Sequence, residues 1–233
     1  RAGQPGSGRD ASGMLAIMSS SRVRQAHGNE TRELIVATAE RLFAEQGVAA
    51  VSNRQVSEAA GQANNFAVGY HFGTKADLVL AIVRRHASAI ERRRAEMLAS
   101  IKGSSDLRDW IGCLVRPLTE HLASLGSPSW YARFIAQATT DPAFRRIVID
   151  ETVASTSMQE TIEGLIRLMP VLPEEVRAER GDMSRQLIVH MCAERERALQ
   201  AGTATTRATW EAAAVGLVDA LVGLWRAPFT PTT

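Results

Sequence analysis

The 233-residue chain is predicted to be all-α. Three observations carry this: apolar residues recur at helical spacing from Asn29 onward, no β-type alternation exceeds four residues, and glycine, proline and serine fall at intervals that suit helix ends. In the first helix, Ile35, Ala39, Leu42 and Phe43 form one apolar face. Asn29 is the expected N-cap, Glu30 and Glu33 suit the positive end of the helix dipole, and Gly47 is the stop. A short second helix opens at Ser52. There the hydroxyl can take the Gln55 amide while the Gln55 side chain reaches back, a capping box. Val56, Ala59 and Ala60 supply its buried side, and Gly61 ends it. Thr74 and Asp77 repeat the device at the head of a longer helix that turns Leu78, Ile82, Ile90 and Leu98 inward.

Further helices are expected near 105–125, 128–140, 143–168, 174–200 and 206–226, with Pro128, Pro142 and Pro173 at first helical positions, where no amide donor is lost. Residues 1–28 are rich in Gly, Ser, Gln and Arg without a hydrophobic period, and are expected to be a disordered leader. The expected organisation is then a helix-turn-helix domain over 29–76, a larger helical domain over 77–228 and a tail over 229–233.

Composition narrows the function. The chain has 27 basic and 25 acidic residues, which excludes a strongly basic coat but leaves room for a local cationic patch. Lys75 and Lys102 are its two lysines, so anion recognition falls mainly to arginine. Cys113 and Cys192 lie far apart within apolar helical patterns and are expected to be free buried thiols, as in a reducing cytoplasm. The longest apolar run, 212–225, is too short to span a membrane and carries Asp219. No HExxH, aspartate-rich run, phosphate-cradling glycine loop or nucleophile elbow is present, so neither enzyme chemistry, metal nor cofactor is expected.

Helix, turn, short capped helix, turn and short helix within some 45 residues is the layout of a helix-turn-helix. Ser52 and Arg54 stand at the start of the supporting helix, where free amides, a hydroxyl and a guanidinium can hold a phosphate. Asn64 and Asn65 open the candidate recognition helix, and an asparagine amide matches an adenine edge. Tyr70 and His71 can donate to phosphate from its far end, and Lys75 adds its charge at the next helix N-terminus. A basic cluster at Arg84, Arg85, Arg92, Arg93 and Arg94 is spread around its helix and reads as a solvated surface, with Arg84 and Arg85 nearest the DNA face.

Residues 31–83 resemble the N-terminal domain of TetR-type transcriptional regulators. The likeness rests on Ala44-Glu45-Gln46-Gly47, Ser52-Asn53-Arg54-Gln55-Val56, Glu58-Ala59-Ala60-Gly61 and Tyr70-His71-Phe72-Gly73-Thr74-Lys75-Ala76-Asp77-Leu78. It implies a homodimeric regulator, most simply a repressor, that binds a near-palindromic double-stranded DNA operator and is released by a small effector. By position, Ser52, Arg54, Tyr70, His71 and Lys75 match residues that meet DNA, and Phe72 matches a core position. This chain departs from the family pattern by one extra residue between Gly61 and Phe72, and by Gly69 where a tyrosine is usual. The alternatives are a ligand-independent DNA-binding regulator governed by a protein partner, and a small helical enzyme.

The C-terminal half offers an inventory suited to an apolar effector. Trp110, Leu114, Trp130, Phe134 and Met158 are the candidate pocket residues, with His121 as a polar anchor. The same residues suit an ordinary helical core. For self-association the expected face is Trp210, Leu217, Val218, Leu221 and Trp225 on the last helix, with Leu187 and Met191 on the one before. Ala213, Gly216, Ala220 and Gly223 keep an adjoining strip narrow.

Overall fold

The computed structural model of the protein describes residues 10–62 and 66–231, and every regular element among them is helical. The order is α1 (Asp10–Gln46), α2 (Asn53–Ala59), α3 (Ala67–Phe72), α4 (Lys75–Ser100), α5 (Leu107–Leu125), α6 (Tyr131–Ala138), α7 (Pro142–Val153), α8 (Thr156–Leu168), α9 (Glu174–Gln200) and α10 (Trp210–Arg226).

Local chemistry explains most of the boundaries. Both capping boxes form: Gln55 N donates to Ser52 Oγ at 3.2 Å and Ser52 N to Gln55 Oε1 at 2.8 Å, while Thr74 N and Asp77 Oδ2 meet at 3.0 Å. Donation from Thr74 also holds the Asp77 carboxyl below its ordinary range. Asp141 caps α7 with Pro142 in its first turn. Asp106 and Thr209 set the starts of α5 and α10 through side-chain oxygens that accept amides two and three residues on.

Four expectations are corrected. The helix expected over 143–168 is two, because Ser155 accepts the Met158 amide at 3.2 Å and begins a new N-terminus. Pro128 lies before α6 rather than within it, and Pro173 is the N-cap of α9 rather than its first residue. The break before α6 has a tertiary cause. Glu196 on α9 accepts the amides of Ala132 (3.2 Å) and Arg133 (2.9 Å) and the Ser129 hydroxyl (2.8 Å), so a carboxylate from another helix caps α6. Finally, α1 starts at Asp10 rather than at an Asn29 cap, so the leader expected over 1–28 is helical from residue 10. No proline interrupts that stretch, and its Ala, Leu, Met, Arg and Gln favour helix without an apolar face. Residues 1–9 lie outside the described residues.

The core is continuous. Ile35, Val36, Ala39 and Phe43 of α1 pack with Val56, Val68, Leu78 and Ile82 to hold the first four helices together. The far end of α1 lies on α6, where the Phe43 and Phe134 rings stack at 6.3 Å. α10 lies along α5, and α9 clamps it at both ends. Arg180 donates to the carbonyls of Trp225 (3.2 Å) and Ala227 (2.8 Å), and Arg195 to those of Arg207 (2.7 Å) and Ala208 (3.1 Å). α9 and α10 therefore run antiparallel.

Candidate nucleic-acid interface and effector cavity

The pairing of α2 with α3 turns on one buried hydroxyl. Ser57 Oγ donates to Asn53 O at 3.1 Å and accepts the Val68 amide at 3.3 Å, while Val56 and Val68 are fully buried beneath. That geometry leaves α3 with an apolar underside and a solvent face. Tyr70 stands 84% exposed, its ring edge-on to His71 at 5.0 Å, and Phe66 at the head of α3 is also exposed. Ser52 and Arg54 are exposed at the start of α2, and Arg54 Nε pairs with Glu58 at 2.7 Å. His71 is half-buried. Asn64 and Asn65 lie outside the described residues, and α3 opens at Ala67 rather than at the asparagines.

Lys75 has a second task. Its Nζ donates to Val48 O at 3.1 Å, which ties the head of α4 to the turn between α1 and α2. Phe72 is half-buried against the core with the Arg32 guanidinium 4.7 Å above its ring. Arg84 and Arg85 are not a free cationic pair: Arg84 forks onto Glu151 of α7 at 2.7 and 3.1 Å, and Arg85 reaches Glu40 at 3.4 Å.

A cavity of about 520 Å³ opens between α4–α9 and the end of α10. Leu114 and Met158 line it as expected from the sequence; Trp110, His121, Trp130 and Phe134 do not. Each of these four has other work. Trp110 donates from Nε1 to Ser104 O at 3.1 Å and presses on Gly164, where a Cβ would stand 1.9 Å from its ring. Phe134 is fully buried between Phe43 and Tyr131. Trp130 lies under the Arg133 guanidinium at 4.5 Å. His121 belongs to a polar chain across four helices: His86 Nδ1 meets His121 Nε2 at 2.8 Å, His86 Nε2 meets Glu40 Oε2 at 3.0 Å, and Tyr131 stacks on His86 at 3.9 Å. Burial first, then the neighbouring His86, pushes His121 down to about 4, so it is neutral at pH 7.

Sequence reasoning named Met158 on α8 but none of that helix's other cavity residues, and no residue of α7 or α9. A signal existed, since Met158, Ile162, Leu165 and Met169 follow i, i+4, i+7, i+11 spacing and all line the cavity. Both cysteines are free and buried; burial pushes Cys113 up to about 11 and Cys192 up to about 12, so both stay thiols.

The stripe expected at a dimer face is partly a correction too. Leu217, Val218, Leu221 and Trp225 are buried within their own subunit, where α10 meets α5 and α9, so they present no surface to a second copy. Trp210 and Leu187 are half-buried, and Met191 is 54% exposed.

Residues 35–82 match the family described as bacterial regulatory proteins, tetR family, and residues 112–223 match the tetracyclin repressor-like C-terminal domain. The chain belongs to the TetR family of transcriptional regulators. Its fold and its DNA-binding helix-turn-helix are those of the family. Among solved structures, the TetR family transcriptional regulator PfmR from Thermus thermophilus is similar at 16% identity and a TM-score of 0.49, covering 84% of this chain and 96% of that one. No curated protein matches the chain. Among the described residues no helix of this TetR-family chain is long and apolar enough to cross a membrane, and no group of His, Cys, Asp and Glu is placed to hold a metal ion.

Proposed function

We propose that the protein is a homodimeric repressor that binds a near-palindromic operator and is released when a small, largely apolar effector enters the cavity. The observation that carries this reading is the reach of one helix. α4 begins at Lys75, which holds the turn before α2, and the same helix presents Ile90 and Arg94 to the cavity. Arg84, between those points, is forked to Glu151 on α7, whose Val148 and Ile149 also wall the cavity. A ligand that wedges α7 from α4 thereby tilts the α2–α3 unit and changes the spacing of the two reading heads.

In this reading Ser52, Arg54, Tyr70, His71 and Lys75 hold phosphates around α3, with Asn64 and Asn65 as readers of base edges. Lys75 keeps two ammonium donors for phosphate beyond the one given to Val48. The dimer contact is drawn on the outer side of α9 and α10. Met183, Leu187 and Met191 follow i, i+4, i+8 spacing there, and Ala212, Gly216, Ala220 and Gly223 line α10 with small, solvent-reachable residues that allow close approach.

Selection of bound DNA from a random pool, at one stated salt concentration, tests the reading directly. An inverted repeat with half-sites about one helical turn apart is expected. Enrichment of no sequence would remove operator recognition, and a single unrepeated site would remove the symmetric dimer.

A further inference from the structure

The cavity wall contributed by α9 changes character along its length. Arg177, Gly181, Arg185, Ile188 and Cys192 follow one helical face and all line the cavity. Arg177 and Gly181 are exposed, Arg185 is half-buried, and Ile188 and Cys192 are buried. The other exposed apolar lining residues are Val153 of α7 and Ile166 of α8, and the mouth is taken as the exposed part of the lining. One edge of that mouth is therefore cationic, and the interior becomes apolar over the roughly 10 Å that seven helical residues span from Arg185 to Cys192.

Charge balance sharpens the picture. The lining contains Arg94, Arg177 and Arg185 and no Asp or Glu. Arg94 is satisfied within the fold by Glu91, Ser157 and the Cys113 carbonyl. Arg185 pairs with Asp182 at 2.9 Å. The guanidinium of Arg177 has no ion pair or hydrogen bond among the described residues. An uncompensated cation at the mouth of an apolar cavity opposes an amine, gives nothing to a pure hydrocarbon, and favours a ligand with one anionic end.

We infer that the effector is an elongated amphiphilic acid, seated with its apolar body against Ile188 and Cys192 and its anionic head at Arg177. The inference rests on the reading of this cavity as the effector site. Arg185 stands one turn inside the mouth from Gly181, and its pairing to Asp182 leaves further guanidinium donors for the same head group.

Three probes of equal tail length separate charge from hydrophobicity: decanoate, decanamide and decylamine, titrated calorimetrically against the full-length protein at pH 7. Decanoate is expected to bind tightest, by roughly two- to five-fold over the amide, the range of a partly exposed ion pair. Arg177→Gln, an exposed substitution that leaves the core untouched, is expected to erase that preference without weakening the amide. Gly181→Leu, placed where a Cβ meets nothing within 4 Å, should obstruct the mouth and weaken all three probes. Equal binding of the three probes overturns the acidic class while leaving a cavity for neutral ligands, and an acid preference that survives Arg177→Gln overturns the seat of the anionic head at Arg177. Unchanged binding in Gly181→Leu overturns entry at this mouth. Saturable binding by none of the probes overturns the inference together with the effector reading.

Discussion

At the scale of single residues, the aromatics and histidines that looked like ligand-binding groups are structural. Phe134 sits between Phe43 and Tyr131, and Trp110 fills the space left by the missing side chain of Gly164. His121 is the instructive case, because its environment sets a measurable pH dependence. Its imidazole is pushed from an ordinary 6.5 down to about 4, chiefly by burial and next by His86, with Glu40 acting in the opposite sense. Between those values the unfolded chain binds a proton that the folded chain does not. Stability from this group is thus fully present above pH 6.5 and drains as the pH falls toward 4. Denaturant midpoints measured across that interval should fall for the native chain and fall less for His121→Gln. Parallel curves would assign the acid sensitivity to other groups.

At the scale of elements, the arginines divide by purpose. Arg180 and Arg195 satisfy carbonyls at the two ends of α10, Arg133 reaches Glu196, and Arg84 ties α4 to α7. Arg177 differs from these in lining the cavity with no ion pair or hydrogen bond to its guanidinium among the described residues. The junction of α4 with the α1–α2 turn is the other decisive element contact. Lys75→Met removes the bond to Val48 and should lower stability by about 1 kcal/mol, the usual worth of one hydrogen bond. If the ammonium also meets phosphate, the salt dependence of operator binding should flatten by about one unit of slope. A stability loss with an unchanged slope would confine Lys75 to the turn. The boundaries of α2, α4 and α7 were legible because their caps are local, within three residues. That of α6 was not, because its cap is Glu196, more than sixty residues away on α9.

At the scale of the whole molecule, the dimer proposal moves from one side of α10 to the other. The apolar stripe Leu217–Val218–Leu221–Trp225 is consumed by α5 and α9, which leaves the small residues of α10 and the methionines of α9 facing outward. Met191→Arg lies on that outer face and should cost the folded monomer within about 0.5 kcal/mol. Light scattering is expected to report a dimer for the native chain and a monomer for the variant. A native monomer at micromolar concentration would end the proposal, and a dimeric Met191→Arg would place the contact elsewhere.

Helical period, capping boxes and the motif around Tyr70 to Leu78 were enough, from the sequence alone, to establish an all-α chain, a helix-turn-helix and a TetR-type regulator. Each of those signals is local: it depends on residues within one or two turns, and no distant partner can change its meaning. Which side of an amphipathic helix faces its own core, a cavity or a second subunit is not local. An apolar stripe is the same sequence in all three settings, and only the tertiary arrangement decided that Trp110 and Phe134 close the core while Ile162, Ile188 and Cys192 wall the cavity. Burial free energy follows the apolar area covered, whatever covers it.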